Sequence, residues 1–293
     1  ALVPIWNFFG LDAGLLAGIL AIDMGGYQLA GELSASQEMV RYAGLVIAAT
    51  LGCTITFTIP VGMGMLKSGD RLLFSRGMLI GTGTLPVTMI VGGLLSGLSF
   101  LQIVLQSLPV LLFCFLLMFG IWRFPEQTVR AFTVFADVIR FLTTIGLIAG
   151  AFCYMTGFSL LPDLAPLEDA MAVVSSIGIV LLGSLPTAEL LQRVLKKPLS
   201  FIGRKTGMND SSAAGLLMGI VSPVPAITMM EKMDERGKIV NAAFLVSAAS
   251  TIAAHMGFTF GTDPDFVVPL LVAKLAGGIA AVCAALFFTK KSA

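Results

Sequence analysis

Nearly the whole chain consists of hydrophobic blocks of about twenty residues, the length that an α-helix needs to cross the hydrocarbon core of a bilayer. Hydrophobic residues make up 57% of the 293 positions and charged residues only 12%, about half the charged fraction of a soluble domain. We therefore predict an all-α polytopic membrane protein with about 9–10 transmembrane segments. The blocks are residues 13–33, 40–66, 72–95, 101–122, 133–158, 171–191, 213–230, 239–260 and 266–288.

Several classes of function are disfavoured by what the chain lacks. A net charge of +1 gives no reason to expect a nucleic-acid partner. The sequence also lacks the G-x-x-x-x-G-K-[ST] loop that would suggest an ATP-driven motor. The four cysteines are scattered singly in apolar stretches, which favours buried small hydrophobes over a metal site. We expect no metal, no cofactor and no enzymatic activity. The first residues contain neither a methionine nor a basic leader, so the natural chain is expected to begin earlier.

Four patches inside the hydrophobic blocks would be unfavourable in a helix that faces lipid. Hydrocarbon tolerates broken helices and carboxylates only where they line a protected cavity, and paired discontinuous helices are typical of secondary transporters. The patches predict a transporter or channel whose site lies at the breaks. They are Asp23-Met24-Gly25-Gly26, the segment Thr54 to Pro60, the segment Gly183 to Glu189, and Ser222-Pro223-Val224-Pro225.

Asp23 is the leading candidate for a ligand-binding group. It lies in the middle of an apolar block, and Gly25 and Gly26 loosen the helix directly after it. A buried carboxylate near an aromatic ring suits a small ammonium ion, through charge pairing and a cation–π contact. The alternative is an aspartate that only caps a half-helix. The neighbouring candidates on the same block are Tyr27, Gln28 and Glu32.

Hydroxyl groups recur at the other breaks and offer hydrogen bonds to a ligand. Threonines near a proline kink also commonly bond back to their own helix, and that alternative stays open. His255 is the only histidine and lies within a span, where it serves either a helix–helix hydrogen bond or the ligand. The further substrate-binding candidates are Thr54, Thr56, Ser184, Thr187, Glu189, Ser222 and His255.

The chain also contains a short internal match. Arg71 follows Pro60 at the same spacing as Arg236 follows Pro225. If these two segments correspond, the Asp23 patch pairs with the patch at residues 183–189. We predict a first transmembrane repeat over residues 1–130, a linking helix over 131–160, and a second repeat over 161–293. The repeats are inverted if every block spans, and parallel if each half contains one re-entrant hairpin. Basic residues place the loop at 193–205 in the cytoplasm. Whether block 213–230 spans or is a re-entrant hairpin stays open.

Several of these patches together resemble the ethanolamine-utilisation protein H family, the inner-membrane permeases that accompany bacterial ethanolamine catabolism. The resemblance covers nearly the whole chain. It implies uptake of ethanolamine or a closely related small amino-alcohol, which agrees with the cation site predicted from Asp23. The matching stretches are Ala21 to Gly26, Phe57 to Val61, Asp70-Arg71, Thr84-Leu85-Pro86, Met233 to Lys238, His255 to Phe258 and Lys274-Leu275.

Two functional alternatives remain on the sequence. A transporter coupled to protons would use carboxylates or the histidine, whereas a passive channel or facilitator for a neutral amine needs neither. The partners expected are ethanolamine or a similar small amine and the lipid bilayer. The sequence is compatible with a homo-oligomer, and no nucleic acid is expected.

Overall fold

The structure is a computed structural model that describes residues 3–19, 23–158, 167–194, 201, 203 and 205–289. Within these residues all regular structure is helical, so the prediction of an all-α polytopic membrane protein is confirmed. The helices are Val3–Phe8, Leu15–Ile19, Asp23–Gly25, Gly26–Leu33, Gln37–Arg41, Tyr42–Gly52, Thr54–Thr58, Ile59–Met65, Ser68–Leu95, Phe100–Arg123, Pro125–Thr156, Leu167–Val194, Asp210–Val221, Pro223–Met229, Met230–Lys232, Glu235–Ala248, Ala254–Thr262, Pro264–Phe266 and Val267–Phe288.

Among the described residues, four uninterrupted helical segments are long and apolar enough to cross a membrane: Gln37–Met65, Ser68–Leu95, Phe100–Arg123 and Pro264–Phe288. They contain 24 to 29 residues each, which exceeds the roughly 20 residues that a span requires. The full number of about 9–10 transmembrane segments stays a prediction, because two of the predicted blocks turn back on themselves.

The first of these is residues 15–33, which we call hairpin 1. Its inward arm is Leu15–Ile19 and its outward arm is Gly26–Leu33. The Asp12 carboxylate accepts hydrogen bonds from Gly14 N–H (2.8 Å) and Ala35 N–H (3.0 Å), one at each end of the hairpin. The segment therefore begins and ends at the same side of the molecule, and Asp23 lies near its tip.

Residues 210–232 form the second re-entrant segment, hairpin 2, with arms Asp210–Val221 and Pro223–Met229. Asn209, directly before it, donates its side-chain N–H to Lys232 O (2.9 Å) and its backbone N–H to Asp234 (2.9 Å). Since Lys232 ends the segment, both ends again meet. Of the two alternatives left open by the sequence, the structure contains the re-entrant hairpin.

The helices that follow the two hairpins differ from regular α-helices in their centres. In Gln37–Met65 the helix widens over Tyr42–Gly52 and Thr54–Thr58, where Cys53 N–H donates to Ala48 O five residues earlier. Pro60 therefore lies in a continuous but widened helix rather than after a break. The corresponding helix after hairpin 2 stops at Ala248 and resumes at Ala254.

The interruption at residues 249–253 packs against the tip of hairpin 2. Ser250 has a positive φ of 56° and donates its N–H to Gly219 O (3.1 Å), and Ile252 N–H donates to Ile220 O (3.1 Å). The backbone groups released by the break are thus satisfied by hairpin 2, as a membrane interior requires. Ser222 lies two residues after Ile220, at the turn of the hairpin.

Ion pairs tie the helix ends together at two opposite ends of the molecule. At one, which we call the Asp12 end, Arg41 binds Asp263 with two contacts of 2.6 and 3.0 Å. At the other, the Asp70 end, Lys238 binds Asp70 at 2.6 Å and Lys67 binds Glu231. Because Gln37–Met65 connects the two ends, hairpin 1 opens at the Asp12 end and hairpin 2 at the Asp70 end.

One predicted break is absent from the structure. Leu167–Val194 is a single helix of 28 residues that continues through Pro186, so residues 183–189 do not form a second broken block. The pairing of the Asp23 patch with this segment was therefore wrong. A proline can lie inside a transmembrane helix because neighbouring groups satisfy the carbonyl that it leaves unpaired.

Candidate functional site

Asp23 lies where hairpin 1 turns, in a single 3₁₀ turn that comprises Asp23–Gly25. Its backbone has a positive φ of 47°, which is uncommon for a residue with a side chain and is typical of strained functional positions. Its side chain is 34% exposed, so the carboxylate is partly shielded but accessible. The turn places a negative charge at the tip of a segment that penetrates the protein from the Asp12 end.

His255 approaches this carboxylate from Ala254–Thr262, the helix that resumes after the interruption at residues 249–253. Its Nε2 lies 3.3 Å from Asp23 Oδ1, and the His255 side chain is 2% exposed. The two atoms are close without the alignment of a hydrogen bond, and both Asp23 Oδ1 and His255 Nδ1 are buried without a hydrogen-bond partner among the described residues. Two polar atoms in a membrane interior therefore lack a partner that a bound ligand can supply.

Cys53 completes a cluster that sequence spacing did not reveal. It lies between the two widened stretches of the first span and is 4% exposed. Its sulfur, an Asp23 carboxylate oxygen and a ring nitrogen of His255 all lie within 4.8 Å of one another. Three residues that are far apart in the chain thus meet at one point, which we call the central cluster.

Lys274 is the second functional candidate that the sequence analysis missed. It is fully buried in Val267–Phe288, and its Nζ donates a hydrogen bond of 2.6 Å to Ala49 O. Ala49 lies one helical turn before Cys53, so the ammonium group is close to the central cluster. A charged residue in the middle of an apolar span is itself a functional signal, and it could have been used.

An aromatic wall stands one turn away from the Asp23–His255 contact. The rings of Tyr27 and Phe258 meet edge to face with centroids 6.2 Å apart. Tyr27 follows Asp23 by one turn of hairpin 1, and Phe258 follows His255 by one turn of its helix. Hairpin 1 therefore contacts Ala254–Thr262 at two successive levels, one charged and one aromatic.

The predicted threonines have different roles. Thr54 donates to Val246 O at 3.2 Å and so joins the two spans, whereas Thr56 bonds back to Gly52 O at 2.9 Å within its own helix. Thr58 was not predicted, but it is fully buried and its hydroxyl has no hydrogen-bond partner among the described residues. It is the hydroxyl in this stretch that stays available for a ligand.

The other predicted residues are distributed around this centre. Gly26 is buried against the inward arm, whereas Gly25, Gln28 and Glu32 are exposed, and Glu32 lies near the base of hairpin 1 rather than at its tip. Ser222 is half-buried beside the break that precedes His255. The side chains of Ser184, Thr187 and Glu189 lie outside the described part of the structure.

Comparison with known proteins identifies the family. The family model described as "Ethanolamine utilisation protein, EutH" matches residues 1–288. The "Probable ethanolamine permease EutH" of Listeria monocytogenes is 38% identical over 290 residues, covering 99% of this chain and 78% of that protein. The Escherichia coli protein of the same name is 34% identical, with 99% and 77% covered, and the "Uncharacterized protein YxeR" of Bacillus subtilis is 32% identical, with 98% and 78% covered. No solved structure matches the chain significantly. The chain belongs to the EutH family.

Proposed function

We propose that this member of the EutH family is an inner-membrane transporter that takes up ethanolamine or a closely related small amino-alcohol. The relatives named as probable ethanolamine permeases support a transport function rather than an enzymatic one. The observation that carries the proposal is the Asp23 carboxylate at the tip of hairpin 1, whose Oδ1 lies 3.3 Å from His255 Nε2 and has no hydrogen-bond partner among the described residues.

The site has the groups that a primary ammonium alcohol requires. Asp23 supplies the opposite charge, and the Tyr27–Phe258 wall lies one turn away, within the reach of a two-carbon chain. The free hydroxyl of Thr58 and the half-buried Ser222 are candidates to bind the substrate hydroxyl. Since an ammonium ion must be paired to be tolerated in hydrocarbon, Asp23 is assigned as its primary partner.

The two hairpins support a site near the bilayer midplane. Each is followed by a widened or broken helix and then by a long helix, in residues 12–95 and again in residues 209–288. The hairpins open at opposite ends, so we propose an inverted repeat with these bounds in place of residues 1–130 and 161–293. Helices Phe100–Arg123, Pro125–Thr156 and Leu167–Val194 then connect the two halves. Such repeats form a central site that opens alternately to each side.

The Asp70 end is assigned to the cytoplasm. Lysines and arginines concentrate in short cytoplasmic loops. Arg41 is the basic residue found at the Asp12 end among the described residues, and it is paired with Asp263. The basic residues near the Asp70 end include Lys67, Arg71, Lys232, Arg236 and Lys238.

A passive channel or facilitator for neutral amine is the second candidate. The unpaired Asp23 carboxylate and the buried Lys274 disfavour it, because a neutral solute needs no charged partner inside the membrane. The two candidates also differ in energetics. Only a coupled transporter concentrates its substrate against a gradient.

The test is uptake of labelled ethanolamine by proteoliposomes without a pH gradient and with an interior more alkaline than the outside, because an acidic interior would trap neutral amine as ammonium without any coupling. The proposal of a coupled transporter predicts accumulation above the equilibrium level when the gradient is present, and loss of that accumulation in His255→Gln. Uptake that stops at equilibrium under every gradient supports the facilitator. If the correctly inserted protein shows no saturable uptake, both the transporter and the facilitator are contradicted.

A further inference from the structure

The thiol of Cys53 is the member of the central cluster that an ammonium site does not explain. A thiol is a weak hydrogen-bond acceptor and offers little to an ammonium group. A thiolate, in contrast, is a preferred ligand of soft metal ions such as Zn²⁺ and Cd²⁺. Cys53, His255 and Asp23 therefore combine the three side-chain types most common in zinc sites, with their ligand atoms within 4.8 Å of one another.

We propose that Asp23, Cys53 and His255 form a binding site for a soft divalent metal ion, best suited to Zn²⁺, which competes with the ammonium substrate. The metal site stands on the cluster alone, whereas the competition rests on the proposed transport function. A metal ion bound here would occupy the Asp23 carboxylate that the substrate needs, and would therefore block substrate binding.

The distances require only a small adjustment. Zinc binds cysteine sulfur at about 2.3 Å, histidine nitrogen at about 2.0–2.1 Å and carboxylate oxygen at about 2.0–2.2 Å. Tetrahedral angles then place the ligand atoms roughly 3.3–3.6 Å apart. The atoms at 4.8 Å or less must therefore approach by at most about 1.5 Å. Two of the three ligands lie on backbone that can move, since Asp23 is in a turn and His255 follows the interruption at 249–253.

The unpaired atoms supply an independent reason for a ligand here. His255 is 1% exposed, its Nδ1 has no hydrogen-bond partner, and neither has Asp23 Oδ1. A metal ion would bind the Asp23 carboxylate and one ring nitrogen of His255 directly. Three protein ligands leave a fourth position for water, as in zinc sites that remain open to exchange.

The charges balance on binding. The Cys53 thiol loses its proton as the metal–sulfur bond forms, so one proton leaves for each metal ion that enters. The thiolate and the Asp23 carboxylate then neutralise the two positive charges, and His255 binds as the neutral ring.

The first test is Cd²⁺ binding to the purified full chain in detergent, which requires no transport. We expect one Cd²⁺ per chain with a thiolate-to-metal charge-transfer absorption in the near ultraviolet. Cys53→Ser should abolish this absorption and weaken binding roughly tenfold or more. Cys114→Ser is the matched control, because Cys114 is equally buried, at 4% exposed, on Phe100–Arg123 and should leave both unchanged. An absorption that persists in Cys53→Ser, or no stoichiometric binding by the wild type, overturns the site.

The second test is inhibition of ethanolamine uptake by Zn²⁺. We expect Zn²⁺ to inhibit uptake by the wild type, and excess ethanolamine to relieve that inhibition. Uptake by Cys53→Ser, measured relative to its own metal-free rate, should no longer respond to Zn²⁺. Inhibition that ethanolamine cannot relieve removes the competition and leaves the metal site. Cd²⁺ binding in a protein that transports no ethanolamine contradicts the proposed function alone. Monodisperse elution in size exclusion serves as the folding control for each variant.

Discussion

The pair formed by Arg41 and Asp263 should stabilise the molecule more than any exposed ion pair at its surface. The pair joins the start of the first span to the end of Ala254–Thr262 at the Asp12 end. Its geometry is bidentate, with contacts of 2.6 and 3.0 Å, and the guanidinium also lies 5.5 Å from the centre of the Phe266 ring. We predict a large coupling energy between the two charged side chains.

The magnitude follows from the burial of the two groups. Two unit charges about 4 Å apart attract by about 4 kcal/mol at an effective dielectric constant of about 20. Asp263 is 7% exposed but Arg41 is 28% exposed, so solvent screening and desolvation remove part of this attraction. We expect a coupling energy of about 2 kcal/mol, and about 2–3 kcal/mol of destabilisation when either partner is removed alone.

A double-mutant cycle measures this coupling. Arg41→Gln, Asp263→Asn and the double variant are unfolded reversibly in mixed micelles, and the double variant should lose about 2 kcal/mol less stability than the sum of the two single losses. The control cycle is Lys67→Gln with Glu231→Gln, whose side chains are 76% and 58% exposed and should show no measurable coupling. Equal coupling in the two cycles would refute the argument from burial and bidentate geometry.

Three further predictions follow from particular contacts. Gly44→Ala should destabilise the protein by about 1–3 kcal/mol, because its Cβ would lie 2.7 Å from Tyr27 Cα, whereas Gly64→Ala, with nothing within 4 Å, should be neutral or stabilising in the same unfolding assay. Burial acts to raise the pKa of the Asp234 carboxyl, but hydrogen bonds from a serine hydroxyl and from backbone N–H groups outweigh it and hold the pKa below its usual range. Its contribution to stability is therefore complete above about pH 4 and lost as the pH falls through the lowered value, so Asp234→Asn should flatten the acid limb of the stability profile, and an unchanged limb would contradict this. In uptake competition, propanolamine should inhibit and serine should not, because the serine carboxylate would face Asp23; equal inhibition would assign an anion-binding role to Lys274.

The fold class was predictable because hydrophobic length is a local property of the sequence. The blocks are apolar over the length that a membrane span requires. The Gly-Gly and Pro-x-Pro patches lie at the two hairpin turns. The hairpin ends were less visible. They depend on contacts such as Asp12 with Ala35 and Asn209 with Lys232, which join residues that no periodicity relates.

Two members of the candidate site, Asp23 and His255, were singled out from the sequence, whereas Cys53 and Lys274 were not. Asp23 and His255 stood out because ionisable groups are rare in apolar spans. Cys53 gave no such signal, since a cysteine in an apolar stretch has the pattern of a small hydrophobe. The error at residues 183–189 has a related cause. Serine, threonine and proline predict a break in water, but a membrane helix can contain all three without interruption.

Equilibrium binding of labelled ethanolamine to the purified protein tests the central claim most directly, because it depends on neither the direction of insertion nor the driving force. The account predicts saturable binding by the wild type and a loss of about 1.5–3 kcal/mol, or roughly 10- to 150-fold in Kd, in Asp23→Asn. Glu32→Gln, on the same hairpin but exposed near its base, should bind like the wild type. Wild-type affinity in a folded Asp23→Asn, or equal weakening in Glu32→Gln, would contradict the assignment of the cation site to the tip of hairpin 1.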